Sequence, residues 1–228
     1  MFFDSLVAYI LLLAFLGFSG FFTWFYDHDV FFVKQANLQS FFTIAYWTLF
    51  FFIPALTMRS LAEETKTGTI ELLLTKPITN WQVLWGKFLA CFMLILIALL
   101  CTLPYVITIY FLGKIDLGVV VCGYLGLLFM SAAYISIGMF ASSLTSNQVV
   151  AFLVSLFTGI FFQYLFGAVG SGLQGNGGEI LNYLSMQNHV DGISRGVIDS
   201  RDVIYFGSII LLGMIIAEVS LAKRNVSE

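Results

Sequence analysis

Six long apolar runs, separated by short polar breaks, organise the chain. They cover residues 5–26, 41–58, 88–112, 117–141, 149–170 and 203–222. A bilayer's hydrocarbon core is about 30 Å thick and a helix rises about 1.5 Å per residue, so about 20 mostly apolar residues cross it. The runs are close to that length, and they are continuous rather than alternating with period two. Backbone in lipid must be satisfied within helices or a closed sheet, and this pattern points to helices, not a barrel. The prediction is one all-α integral membrane domain, residues 1–228, with six transmembrane helices. Met1-Phe2-Phe3-Asp4 lacks the basic start of a cleavable signal peptide, so the first run is expected to stay as a span.

Composition narrows the class. Of 228 residues, 60% are hydrophobic and 10% are charged, against roughly 25% charged in an ordinary soluble domain. A soluble domain would need far more polar surface to cover its core. This excludes a soluble enzyme, a disordered tail and a nucleic-acid-binding module. Cys91, Cys101 and Cys122 all lie inside apolar runs, so they read as small packing residues rather than a disulfide or metal set.

The basic residues set an orientation. With the N-terminus inside, the segments 59–87, 142–148 and 223–228 hold six of the ten Lys and Arg residues: Arg59, Lys66, Lys76, Lys87, Lys223 and Arg224. The outer segments hold four, namely Lys34, Lys114, Arg195 and Arg201. The bias favours an N-in/C-in arrangement, and the expected location is multi-pass in a bacterial inner membrane.

Candidate chemistry inside the runs is sparse. Ionisable residues in a membrane core are costly and usually functional. Here Glu218 lies near the end of the last span, and Lys87 can snorkel from the mouth of the third. A coupled secondary carrier normally needs a midplane carboxylate or broken helices, and neither is evident. Gly86-Lys87 resembles the tail of a phosphate loop, but Trp81 and Phe88 stand where that loop needs glycine and a hydroxyl. The energy source is therefore expected outside this chain. Gly118, Cys122 and Gly126 recur every four residues, and Gly138 lies further along the same span; such faces let helices approach closely, within the bundle or at a second subunit. Pro54 and Pro104 are expected to kink spans two and three. Residues 187–197 are expected to form a short helix on the outer rim. Asp27-His28-Asp29 and His189-x-Asp191 give only a weak metal-ligand signal, so no metal site is expected.

The largest inner polar break is the most informative. Charged residues lead to Thr67-Gly68-Thr69, a short apolar stretch and Pro77. Thr69 can serve as an N-cap, Glu71 would lie in the first turn, and Pro77 ends the helix near Lys76. The result is a short amphipathic helix at the membrane surface, either an interfacial linker or a dock for an inner partner.

Met58-Arg59-x-x-Ala62-Glu63-Glu64-x-x-Thr67-Gly68-Thr69-Ile70-Glu71-Leu72-Leu73-Leu74-Thr75-x-Pro77, followed by Gly86-Lys87-Phe88-Leu89-Ala90, resembles the membrane subunit of type-2 ABC exporters. It is most similar to the gliding-motility-associated ABC permease subunits of Bacteroidetes-type bacteria. Leu103-Pro104-Tyr105, Ala141-Ser142-Ser143-Leu144-Thr145-Ser146-Asn147-Gln148 and Ser194-Arg195-Gly196 agree with it. The resemblance implies a permease subunit whose inner loop carries a coupling helix that docks on a separate ABC ATPase. On this chain that helix would involve Glu63, Glu64, Thr67, Gly68, Thr69, Glu71 and Pro77. A second inner contact would involve Ser143, Thr145, Asn147 and Gln148. ATP and magnesium would be used by the ATPase, with no cofactor bound by this chain. A second permease copy or a related membrane subunit would complete the pathway. The family usually begins with a basic amphipathic segment, absent at Met1-Phe2-Phe3-Asp4; either the native start lies upstream or that elbow is missing. Alternative readings are a copper-enzyme-maturation or multidrug permease of the same architecture, a secondary carrier, or a non-transporting scaffold.

Overall fold

A computed structural model of the chain describes residues 6–24, 38–69, 79–173 and 175–227. Among the described residues every regular element is helical. They are α1 (Leu6–Trp24), α2 (Gln39–Thr57), α3 (Ala62–Thr67), α4 (Asn80–Leu100), α5 (Leu103–Leu112), α6 (Leu117–Leu144) and α7 (Gln148–Ile160). A π turn, Phe161–Leu165, follows, and then α8 (Phe166–Gly172), α9 (Asn176–Leu184), α10 (Met186–Ser194) and α11 (Ser200–Ser227).

Five helical stretches are long and apolar enough to cross a membrane: Gln39–Thr67, Asn80–Leu112, Leu117–Leu144, Gln148–Gly172 and Ser200–Lys223. The apolar part of α1, Ala8–Trp24, falls short of the length that qualifies the others. The described residues thus carry five of the six expected spans at full length.

Local chemistry explains where the helices begin and break. The third span starts at Asn80, eight residues before its apolar run, because Thr79 and Gln82 form a reciprocal capping box. Gln82 N–H donates to Thr79 Oγ1 at 3.3 Å, and Thr79 N–H donates to Gln82 Oε1 at 3.0 Å. The same span is interrupted at Cys101 and Thr102, with Pro104 in the first turn of α5. Proline lacks the N–H that a continuous helix needs there. Thr102 Oγ1 donates to the Leu99 carbonyl at 2.6 Å and lies 2.8 Å from the Tyr124 hydroxyl. The other proline, Pro54, lies inside α2. Asp116 caps α6 by accepting from Gly118 N–H at 2.9 Å and Val119 N–H at 3.4 Å.

The segment after α8 forms two helices, α9 and α10. The expected 187–197 helix corresponds to α10, which ends three residues earlier. Gly196 follows it with φ +91°, a backbone conformation that favours glycine.

The bundle is built around α6. Residues 131–139 are buried without a break, so this helix is enclosed on every side rather than presenting one face. It packs against α2, α4, α7, α10 and α11, most extensively against α11. Glycines set the closest approaches. A Cβ at Gly138 would lie 2.0 Å from Thr57 Oγ1 on α2, and one at Gly213 would lie 2.9 Å from Ser136 Oγ. Toward the other end, Phe41, Tyr105 and Tyr124 pack ring to ring and tie α2, α5 and α6 together.

Candidate functional site

Helix α3 is six residues long and begins after Leu61, which has no side chain able to cap it. Its cap comes from elsewhere. Ser142 Oγ on α6 accepts from Leu61 N–H at 3.0 Å and Ala62 N–H at 2.9 Å, and it donates to the Met58 carbonyl at 3.1 Å. Leu61, Ala62 and Ser142 are all buried. One hydroxyl therefore satisfies amides that the start of any helix leaves without intrahelical partners.

Charge placement suits the same helix. Glu63 and Glu64 lie in its first turn and Lys66 in its last, matching the helix dipole. Gly68 ends it in the left-handed region, φ +69°, where a side chain would be strained. Thr67 Oγ1 donates to the Glu63 carbonyl at 2.9 Å and lies 2.9 Å from Thr69 Oγ1. Sequence pattern placed the helix later, from Thr69 to Lys76. Beyond Thr69 that stretch lies outside the described residues, as do Glu71 and Pro77.

Lys87 on α4 reaches back to α3. Its ammonium pairs with the Glu64 carboxylate and donates to the Ser60 carbonyl. Ser220 on α11 donates to the Ser143 carbonyl at 3.1 Å. These bonds gather α3, α4, α6 and α11 at one end of the bundle.

The 142–148 turn lies in the same region, since α3 packs on both α6 and α7. Asn147 Oδ1 accepts from Val149 N–H at 3.0 Å and so caps α7, while Asn147 N–H donates to Thr145 Oγ1 at 3.1 Å. Gln148 is the first residue of α7, and Ser143 is buried with its hydroxyl on the Phe140 carbonyl. Glu63, Lys66, Thr67, Gly68, Thr69 and Asn147 are exposed. The result is a polar surface made from two segments about 80 residues apart. It is pinned to the bundle by buried hydrogen bonds and one ion pair.

The four small residues of the sequence pattern have different surroundings. Gly118 is exposed, and a Cβ there would meet only the Asp116 carboxylate. Cys122 is buried, Gly126 faces Ile193 on α10, and Gly138 faces Thr57. His189 turns away from Asp191. Its Nδ1 lies 2.6 Å from Asp202 Oδ1, its Nε2 lies 2.8 Å from the Tyr183 carbonyl, and its ring stacks 4.0 Å from that of Tyr205. Both ring nitrogens are thus occupied. No group of three metal-ligating side chains occurs among the described residues, and Asp27, His28 and Asp29 lie outside them.

Ser60 and Ser220 escaped the sequence reading, and Ser142 entered it only as a member of the 142–148 segment and not as a cap, because a hydroxyl that bonds backbone on a distant segment leaves no local pattern. Lys87 did leave one. A lysine in an apolar helix needs a partner, and Glu63, Glu64 and Glu71 were the acids on its side of the sequence.

Residues 26–222 match the family model described as ABC-2 family transporter protein. No curated protein matches the chain. Five membrane-length apolar helices, the enclosed α6 and a family match over most of the chain agree, and the chain belongs to the ABC-2 transporter family as a multi-pass membrane permease component.

Proposed function

We propose that this chain is one half of an ABC exporter permease and that α3, with the 142–148 turn, is its dock for a cytoplasmic ABC ATPase. The observation that carries the reading is the buried Ser142 link, which joins the two inner polar segments into one surface. A second copy, or a related membrane subunit, would complete the pathway. The topology that goes with this is N-in/C-in with α1 as the sixth span, in a bacterial inner membrane. Mg·ATP would bind the ATPase subunits, whose closure would pull on α3. The Lys87–Glu64 pair would carry that pull into α4, and Ser142 would carry it into α6. Glu71, Pro77 and neighbours would extend the dock. A role in gliding motility rests on the sequence resemblance, and export or mechanical work in the envelope both fit this arrangement.

Gly68→Pro tests the reading, because proline cannot adopt φ +69° and the helix end must change. The expected outcome is a folded bundle that no longer stimulates its ATPase in the reconstituted complex. Replacing Glu63 and Glu64 together by Ala should act in the same direction. Stimulation equal to that of the unaltered chain in both variants would refute the dock. Transport that proceeds without any ATPase would favour a secondary carrier, and ATPase turnover indifferent to this chain would favour a scaffold.

A further inference from the structure

Helices α9, α10 and α11 meet at one histidine. His189, on α10, is buried, and so is Asp202, in the first turn of α11. Nε2 of the ring lies 2.8 Å from the Tyr183 carbonyl in the last turn of α9, and Nδ1 lies 2.6 Å from Asp202 Oδ1. Tyr205, also on α11, donates its hydroxyl to the next carbonyl, that of Leu184, at 2.6 Å. The final carbonyls of a helix have no intrahelical partners, so side chains from α10 and α11 cap the end of α9.

The two contacts of the ring fix its protons. A carbonyl only accepts, so Nε2 carries a hydrogen. A neutral imidazole has one N–H, which is then used, and its bare Nδ1 would face a carboxylate oxygen at 2.6 Å, two acceptors in contact. A second proton must lie between Nδ1 and Oδ1. The surroundings place it on the ring. The ring meets the negative, C-terminal end of α9, where a cation is favoured. Asp202 stands in the first turn of α11, where a carboxylate is favoured. The Tyr205 ring lies 4.0 Å from the imidazole and within 18° of parallel, offering its π face to a cation.

The other titratable groups around the ring do not take this role. Besides Asp202, the side chains that touch it are Tyr183, Tyr205 and Phe206. Helix α6 and the π turn also pack on α10 and carry no charged residue; their titratable groups are Cys122, Tyr124, Tyr134 and Tyr164, all of types neutral at neutral pH. Glu179 of α9, Asp191 and Arg195 of α10, Asp199 before α11 and Arg201 within it are exposed, and among the described residues no ion pair joins them to His189 or Asp202.

We infer that His189 is an imidazolium whose second proton closes a clasp fastening α9 and α10 onto α11, and that the clasp opens as pH rises. A protonated ring makes both bonds. When one proton leaves to solvent the ring keeps a single N–H, so one bond is lost and a lone pair faces an oxygen. Asp202 and Ser220 stand near the two ends of α11, about 27 Å apart along its axis, so the clasp lies at the end of the bundle away from α3. The inference rests on these three helices alone, and its failure leaves the ATPase dock standing.

The test uses the full chain in phosphatidylcholine vesicles. His28 is the other histidine, so His28→Gln with ring-15N histidine leaves one labelled ring to observe by NMR. At neutral pH both ring nitrogens of His189 should carry a proton. With Asp202→Asn added, only Nε2 should, because the new amide can donate to a bare Nδ1. Amide exchange over 186–194, corrected for its intrinsic pH dependence, should speed up about 10- to 100-fold between about pH 6 and about pH 9 in the chain that keeps Asp202, as expected for the loss of one charge-assisted bond. With Asp202→Asn it should stay constant over that range. A single ring N–H at neutral pH in the His28→Gln chain, corrected exchange that ignores pH in that chain, or the same pH response with and without the Asp202 carboxylate would overturn the proposal.

Discussion

Ser142 does more than its size suggests. Leucine at position 61 leaves the start of α3 without a local cap, and the hydroxyl from α6 supplies one across about 80 residues of sequence. Ser142→Ala orphans two buried amides at a cost of about 1–3 kcal/mol each. Hydrogen exchange at Leu61 and Ala62 should then run about 10- to 100-fold faster, since 1.4 kcal/mol is a factor of ten. Unchanged protection would mean that these amides have another acceptor. Gly138 is the opposite kind of site, needed for what it lacks. Gly138→Leu drives carbon into Thr57 and should destabilise the bundle by about 1–3 kcal/mol in thermal unfolding. Gly118→Ala, which meets only the exposed Asp116 carboxylate, should change stability far less. The four-residue spacing of Gly118, Cys122 and Gly126 was legible, but it could not say which member of the set meets another helix. That depends on where α10 and α2 cross α6.

Among the elements, the long helices were the legible part. Their apolar runs exceed what any buried soluble helix needs, and length alone identifies them. The short ones were not. Helix α3 has six residues and no room for a periodic pattern, and its cap is remote. The π turn Phe161–Leu165 is equally silent in sequence, although it sits inside an apolar helix and contains a polar residue, Gln163. That side chain is 1% exposed and accepts from the Tyr134 hydroxyl on α6, also fully buried. Pairing across the helices gives the irregular turn a reason, since π turns often mark sites where a side chain must be re-aimed. Gln163→Leu leaves the Tyr134 hydroxyl without an acceptor and should cost about 1–2 kcal/mol. The double change Gln163→Leu with Tyr134→Phe should recover most of that loss, because an apolar pair leaves no polar group stranded. Additive losses in this thermal-unfolding cycle would show that the two side chains act independently.

For the molecule as a whole, the two ends of the bundle differ in kind. One end gathers α3, the 142–148 turn and the Lys87–Glu64 pair into an exposed polar surface with buried anchors. The other holds the buried His189–Asp202 pair, where α9, α10 and α11 meet. Sequence composition alone fixed the membrane class, and the scarcity of charge within the runs pointed to an outside energy source. The family pattern over 58–90 then named the kind of partner. What it could not supply was the meeting of 58–62 with 142, because that contact depends on how α2 and α6 cross.

The most direct measurement of the central claim is site-specific crosslinking in native membranes. Thr67→Cys or Asn147→Cys places a thiol on the exposed polar surface, and Lys114→Cys places one at the opposite end. The account predicts that an ABC ATPase crosslinks to positions 67 and 147, more strongly when a nucleotide closes the ATPases, and does not crosslink to position 114. An ATPase adduct at position 114 in place of 67 and 147, or no ATPase adduct at any of the three, would contradict it.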